Sequence, residues 1–153
     1  MNKFPITGAV FALASFFALP GAAQDRGMWR AASSTASAIT GDIFISDSKL
    51  TINFLAFPLA QIRPLTPVEI GAVFDADSNI AQAGNLYRLR ISASQRFLHH
   101  NTLCGSDDTQ WMATFIEGRS LHVAFFSGSK MPVLTFDAMA NSTDRCATLT
   151  YTR

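Results

Sequence analysis

Apolar positions recur with a period of two along most of the chain from Ile39 onward. In Ile39–Ser46, Ile39, Ile43 and Ile45 share one face, and Asp47-Ser48 reads as a turn. In Lys49–Phe54, Leu50, Ile52 and Phe54 alternate with Lys49, Thr51 and Asn53. The two runs predict a hairpin, with Phe54 on the same face as Leu50 and Ile52. Leu59–Arg63 lies between Pro58 and Pro64 and predicts an edge or bent strand, because proline donates nothing to a ladder. Ile70–Phe74 is short and apolar, and Asp75–Asn79 reads as a loop. In Asn85–Ser92, Tyr87, Leu89 and Ile91 oppose Arg88, Arg90 and Ser92. Trp111, Ala113 and Phe115 alternate with Met112, Thr114 and Ile116. Leu121, Val123 and Phe125 alternate with His122, Ala124 and Phe126. Val133–Phe136 is a further short run, and Cys146–Arg153 ends the series with Ala147, Leu149 and Tyr151 on one face. Ser94–His100 and Phe136–Ser142 read as helical turns.

Short strands at even spacing predict an all-β fold, a single antiparallel barrel or closed sandwich of about eight strands. The runs Trp111–Glu117 and Leu121–Ser127 are apolar on both faces. One face meets the core; the other needs a ligand cavity, a second layer or a partner.

The first residues follow a different pattern. Lys3 precedes the apolar run Ala9–Leu19, then come Pro20-Gly21 and the small pair Ala22-Ala23. This is the layout of a cleaved export signal. The run is shorter than the ~20 apolar residues of a spanning helix. The chain therefore divides into a signal peptide at 1–23, a flexible polar leader at 24–38 and a single β domain at 39–153, with a periplasmic or secreted product. Export gives Cys104 and Cys146, the only two cysteines, a reading as one disulfide. A metal pair or a redox pair is the alternative, without the close spacing either usually shows.

Composition narrows the function. The chain is 48% hydrophobic and 15% charged, which excludes a disordered tail protein. Its net charge is +1, and without Lys3 it is zero, which speaks against nucleic-acid binding. Thirteen Phe against two Tyr and two Trp suit a packed core more than a wet recognition surface.

Candidate chemistry is sparse. No nucleophile elbow, zinc-protease, phosphate-loop or dinucleotide spacing occurs, and no cofactor or metal is expected. His99-His100 falls in a loop and His122 on a strand, where ordinary surface or half-buried roles outweigh a metal or proton site. Asp75-x-Asp77-x-Asn79 starts like a calcium loop, but Ile80 and Leu86 stand where that loop needs Gly and Glu. Asp107-Asp108 reads as a polar turn. Arg88 and Arg90 share a strand face and suit a carboxylate or phosphate, or simple solvation. Asn141-Ser142-Thr143 satisfies a glycosylation sequon.

The segments N-T-L-C-G (Asn101–Gly105), L-H-V-A-F-F-S-G (Leu121–Gly128) and C-A-T-L-T-Y (Cys146–Tyr151), with A-I-T-G-D-I (Ala38–Ile43) upstream, resemble a group of small exported bacterial proteins without an assigned function. The resemblance implies export, a Cys104–Cys146 bridge and a small β-rich domain. The architecture also resembles lipocalin-like periplasmic barrels and the barrels that inhibit lysozyme. The S-G-x-x-Y loop of those inhibitors is missing here.

The resulting expectation is an exported, non-catalytic binding protein. It would hold a small apolar ligand in the barrel, or an envelope protein or glycan at its rim. Trp111, Phe115, Phe125 and Phe126 form the candidate surface, with Arg88 and Arg90 as polar contacts. The alternatives are an envelope interaction module without a pocket, and a hydrolase or metal-dependent enzyme using the histidines.

Overall fold

The structure is a computed structural model and describes residues 24–77, 79 and 83–153. The expected signal segment, 1–23, lies outside the described residues. Eight antiparallel strands close a barrel in sequence order. They are β1 (Gly27–Ala31), β2 (Ile43–Ile45), β3 (Lys49–Ile52), β4 (Leu55–Pro64), β5 (Ala83–Ile91), β6 (Thr109–Glu117), β7 (Ser120–Phe126) and β8 (Arg145–Thr152). The described residues add three short α-helices, α1 (Ser34–Ile39), α2 (Pro67–Phe74) and α3 (Phe136–Ala140), and a 3-10 turn at Leu98–His100.

Closure depends on two strands that change partners midway. Gly27–Trp29 of β1 pair with β2, while Arg30 and Ala31 pair with Thr152 and Tyr151 of β8. Leu55–Pro58 of β4 pair with β3, and Leu59–Pro64 pair with β5, with a bulge between Gln61 and Arg63. Prolines 58 and 64 therefore sit in a bent strand. Among the described residues, every strand pairs with a neighbour on both sides.

The period-two pattern delivers an interior packed with apolar side chains. Trp29, Leu50, Val123, Phe125, Leu149 and Tyr151 are all fully buried within it. The second apolar face of β6 and β7 meets a second layer. Trp111, Phe115 and Phe126 lie outside the barrel with Ile70 and Val73 of α2 and Met139 of α3. Gly84 of β5 makes the close approach of α2 feasible. A Cβ there would stand 2.6 Å from the Thr114 carbonyl oxygen and 3.1 Å from Ile70 Cδ1.

Several segments differ from the sequence expectation. Residues 24–38, expected as a loose leader, carry β1 and most of α1, with Trp29 and Ala36 buried. Ser33 ties this segment down: its hydroxyl accepts from the N–H of Ala36 and from that of Thr150 on β8. Ile39 therefore ends a helix, and the strand starts at Ile43. Ile70–Phe74 belongs to α2, which opens with a capping box: Thr66 and Glu69 exchange side-chain-to-backbone bonds, and Pro67 fills the first turn. Arg63 grips Glu69 with two bonds of 2.8 and 2.7 Å, which is the largest cause holding the Glu69 carboxyl below its usual range. Val133–Phe136 is not a strand; Thr135 caps α3 instead.

Cys104 and Cys146 form a disulfide with their Cα atoms 4.8 Å apart, tying the loop before β6 to the start of β8. Among the described residues, no helix is long and apolar enough to cross a membrane.

Candidate functional site

The residues singled out from the sequence do not form one surface. Trp111, Phe115 and Phe126 are buried under α2 and α3, and Phe125 lies on the other side of the sheet, inside the barrel. Arg88 stacks over Trp111 at 4.6 Å and donates to the carbonyl and side-chain oxygens of Gln110. Arg90 is exposed and pairs with Asp108 at 3.3 Å. These two arginines, with Pro58 and Ala60, border a shallow depression of about 390 Å³.

A better-defined groove lies on the wall built by β1, β2 and β3. Met28, Phe44 and Thr51 are cross-strand neighbours on the outer face of β1, β2 and β3. With Leu98, Phe54 and Asp42 they line a groove of about 330 Å³. That volume is at the lower end for small-ligand sites, roughly 300–1,000 Å³. Asp42 is the only charged side chain among the described lining residues, and its Oδ1 accepts from the Ala31 N–H at 2.9 Å.

Two turns wall the groove, and both hold consecutive non-glycine residues in left-handed backbone. The β3–β4 hairpin turns through Asn53 and Phe54, at φ 48° and 65°. Both residues of the turn have positive φ, as a two-residue I′ hairpin demands, where Gly is the favoured second residue. Phe54 therefore leaves the core face and is 98% exposed. The turn Leu98–His100 carries His99 at φ 55° and His100 at φ 59°. It is held by the Asn101 side-chain N–H, which donates to the Ala38 carbonyl at 3.0 Å. Leu98 reaches Gly41, where a Cβ would stand 3.2 Å from its Cδ1. Backbone strain of this kind concentrates at ligand clamps and switch regions.

The groove connects to the interior through Thr40, which is buried and hydrogen-bonds the Tyr151 hydroxyl at 2.7 Å. Burial holds the Tyr151 phenol well above its usual pKa; the Thr40 bond works against this and the Asp42 charge adds to it.

A second polar cluster lies inside the barrel. Asp25 is 1% exposed. Its Oδ2 accepts from Asn85 Nδ2 at 3.0 Å, the Tyr87 hydroxyl at 2.6 Å and the Thr114 hydroxyl at 2.8 Å. Its Oδ1 is buried without a hydrogen-bond partner. Burial, then the bond to Asp25 and its charge, push the Tyr87 phenol up, so Tyr87 stays a donor.

The histidines do not converge. His99 and His100 are exposed in their turn, while His122 sits on the outer face of β7. There its Nδ1 is 3.3 Å from the Thr150 hydroxyl, its Nε2 is 3.4 Å from Glu117 Oε2, and its ring stacks on Phe115. Asp75 caps α2 in left-handed backbone, and Asp77 accepts from Asn79. Among the described residues, no three His, Cys, Asp or Glu side chains gather as a metal group. No family model, curated protein or solved structure matches the chain.

Of the groove's lining, the sequence pattern reads Ile43, Thr51, Asn53 and Phe54 as strand positions and does not bring them together as a site. The available signal was Asn53, a residue that tolerates left-handed backbone, placed where an uninterrupted alternation suggested more strand.

Proposed function

We propose that the protein is an exported, non-catalytic binding module, periplasmic or secreted, that holds the apolar part of an envelope component in the groove of β1–β3. The observation that carries this reading is Phe54, a large aromatic side chain left 98% exposed on strained backbone beside an apolar groove. Stability alone favours glycine there, so the aromatic ring points to a partner. Met28 and Phe44, 59% and 42% exposed, extend the same apolar wall. The disulfide suits an oxidising compartment. A lipocalin-like barrel would hold its ligand inside. Here Trp29, Phe125 and Tyr151 fill the interior, so the reading moves to the outer wall.

Octyl glucoside below its micelle concentration is a suitable probe, with an apolar chain and a sugar head. Calorimetry should give saturable binding to the full-length protein, at least about tenfold weaker in Phe54→Ser, since burying a Phe side chain is worth about 1.5–3 kcal/mol. Equal binding by both proteins, or none by either, overturns the reading.

The second reading, an interaction module without a ligand pocket, draws on Leu55 and Ile62, exposed on β4. It expects concentration-dependent association of the protein that Ile62→Lys abolishes, and no octyl glucoside binding.

A further inference from the structure

We propose that Asn85, Tyr87 and Thr114 form a carboxylate-binding site inside the barrel, which Asp25 occupies in cis. The donors and the occupant belong to different parts of the molecule. Asn85 and Tyr87 stand on β5 and Thr114 on β6, on the inner wall. Gln61 of β4 donates to Asn85 Oδ1 at 2.9 Å, which turns the Asn85 amide N–H toward the site. Asp25 comes from outside this wall, on the turn that leads into β1. Three donors on neighbouring staves thus aim at one point, and the N-terminal segment delivers the carboxylate to it.

The occupant completes the site on one side only. All three donors converge on Oδ2, while Oδ1 is buried and has no partner. A carboxylate leaving one oxygen unsatisfied in the interior is a poor final partner for such a cage. The chemistry selects a singly charged carboxylate. The donors are neutral hydroxyl and amide groups, whereas a phosphate dianion calls for cationic forks.

The segment around Asp25 is held by several parts of the fold. The Trp29 indole N–H donates to the Asp25 carbonyl at 2.8 Å. Arg153 donates to the carbonyls of Gln24 and Arg26 and stacks over Trp29 at 4.3 Å. Arg26 also pairs with Asp47, Gly27–Trp29 pair with β2, and Arg30 and Ala31 pair with β8. A group held in place by the fold acts at an effective concentration far above that of any free ligand. A free carboxylate is therefore excluded from the native site and admitted once Asp25 is removed.

The test is rescue of Asp25→Ala in the full-length chain by acetate, with chloride at equal ionic strength as the control. Thermal unfolding of Asp25→Ala should shift upward with acetate, rising with the logarithm of its concentration above the dissociation constant, by on the order of 5 °C beyond chloride. The native protein should respond equally to both salts, which sets the general salt effect. Asp25→Ala/Tyr87→Phe should lose most of the acetate-specific shift. No difference between acetate and chloride for Asp25→Ala overturns the proposal, and so does an equal shift in the double variant. If Asp25→Ala does not fold in chloride, refolding is compared in the two salts. Recovery in acetate alone supports the site; recovery in neither overturns it.

Discussion

Replacing Phe54 by glycine separates stability from binding at one residue. Phe54 holds φ at 65° as the second residue of the β3–β4 turn. Left-handed backbone costs a residue with a Cβ roughly 1–2 kcal/mol. Glycine removes that cost, but it loses about 0.5–1 kcal/mol more conformational entropy on folding. The side chain is 98% exposed, so no burial is forfeited. The net result is a stabilisation of about 0.5–1 kcal/mol, a rise in melting temperature of about 1–4 °C for a domain of this size. Calorimetric melting of the native protein, Phe54→Gly and Phe54→Ala reads it out. Alanine keeps the Cβ and should leave the melting temperature nearly unchanged. In the same samples, octyl glucoside binding should weaken at least about tenfold in both variants. A fall in melting temperature for Phe54→Gly of the size expected for the rise would show that the ring packs against the protein, and the argument from its exposure would collapse.

The remaining expectations concern the frame around the site. Gly84→Ala should destabilise by about 1–3 kcal/mol, since its Cβ would meet the Thr114 carbonyl oxygen at 2.6 Å; urea unfolding checks this, and a neutral result would mean α2 sits less tightly on β5. Removing the disulfide with Cys104→Ala/Cys146→Ala opens a separation of 42 residues and should cost about 4 kcal/mol, read from the urea midpoint. The Glu69 carboxyl is held below its usual range, first by Arg63, so its contribution is present above the ordinary Glu range and is lost as pH falls through the lowered value. The melting temperature of the native protein should therefore fall more steeply than that of Glu69→Gln below about pH 4, and parallel curves would remove the pair from the account of α2.

The barrel was legible because most strands keep one face inside and one outside, and period two survives in the sequence wherever that holds. The same regularity concealed the site. Leu50, Ile52 and Phe54 look like one inward face, yet the chain reverses at Asn53–Phe54 and throws the last of them outward. Apolar content misled at Ile70–Phe74, whose four consecutive buried residues read as neither period; the decisive local signal was the Thr66-Pro67 start with Glu69 behind it. The segment 24–38 looked loose because its side chains are small and polar, and it is ordered by backbone contacts to β8 that no local pattern carries. Asp25 is the extreme case. Its partners lie 60 to 89 residues away, and a charged residue at that position normally faces solvent. The candidate surface at Trp111, Phe115 and Phe126 followed from two-faced apolarity, which the second layer of α2 and α3 accounts for without a ligand.

The central claim is that the outer groove, and not the interior, receives an apolar group. The most direct measurement is a set of intermolecular nuclear Overhauser effects between octyl glucoside and the methyl and aromatic protons of the full-length protein. The account expects contacts from the octyl chain to Phe44, Phe54 and Leu98. Contacts to Leu50, Val123 and Leu149 inside the barrel, with none to Phe54, would contradict it.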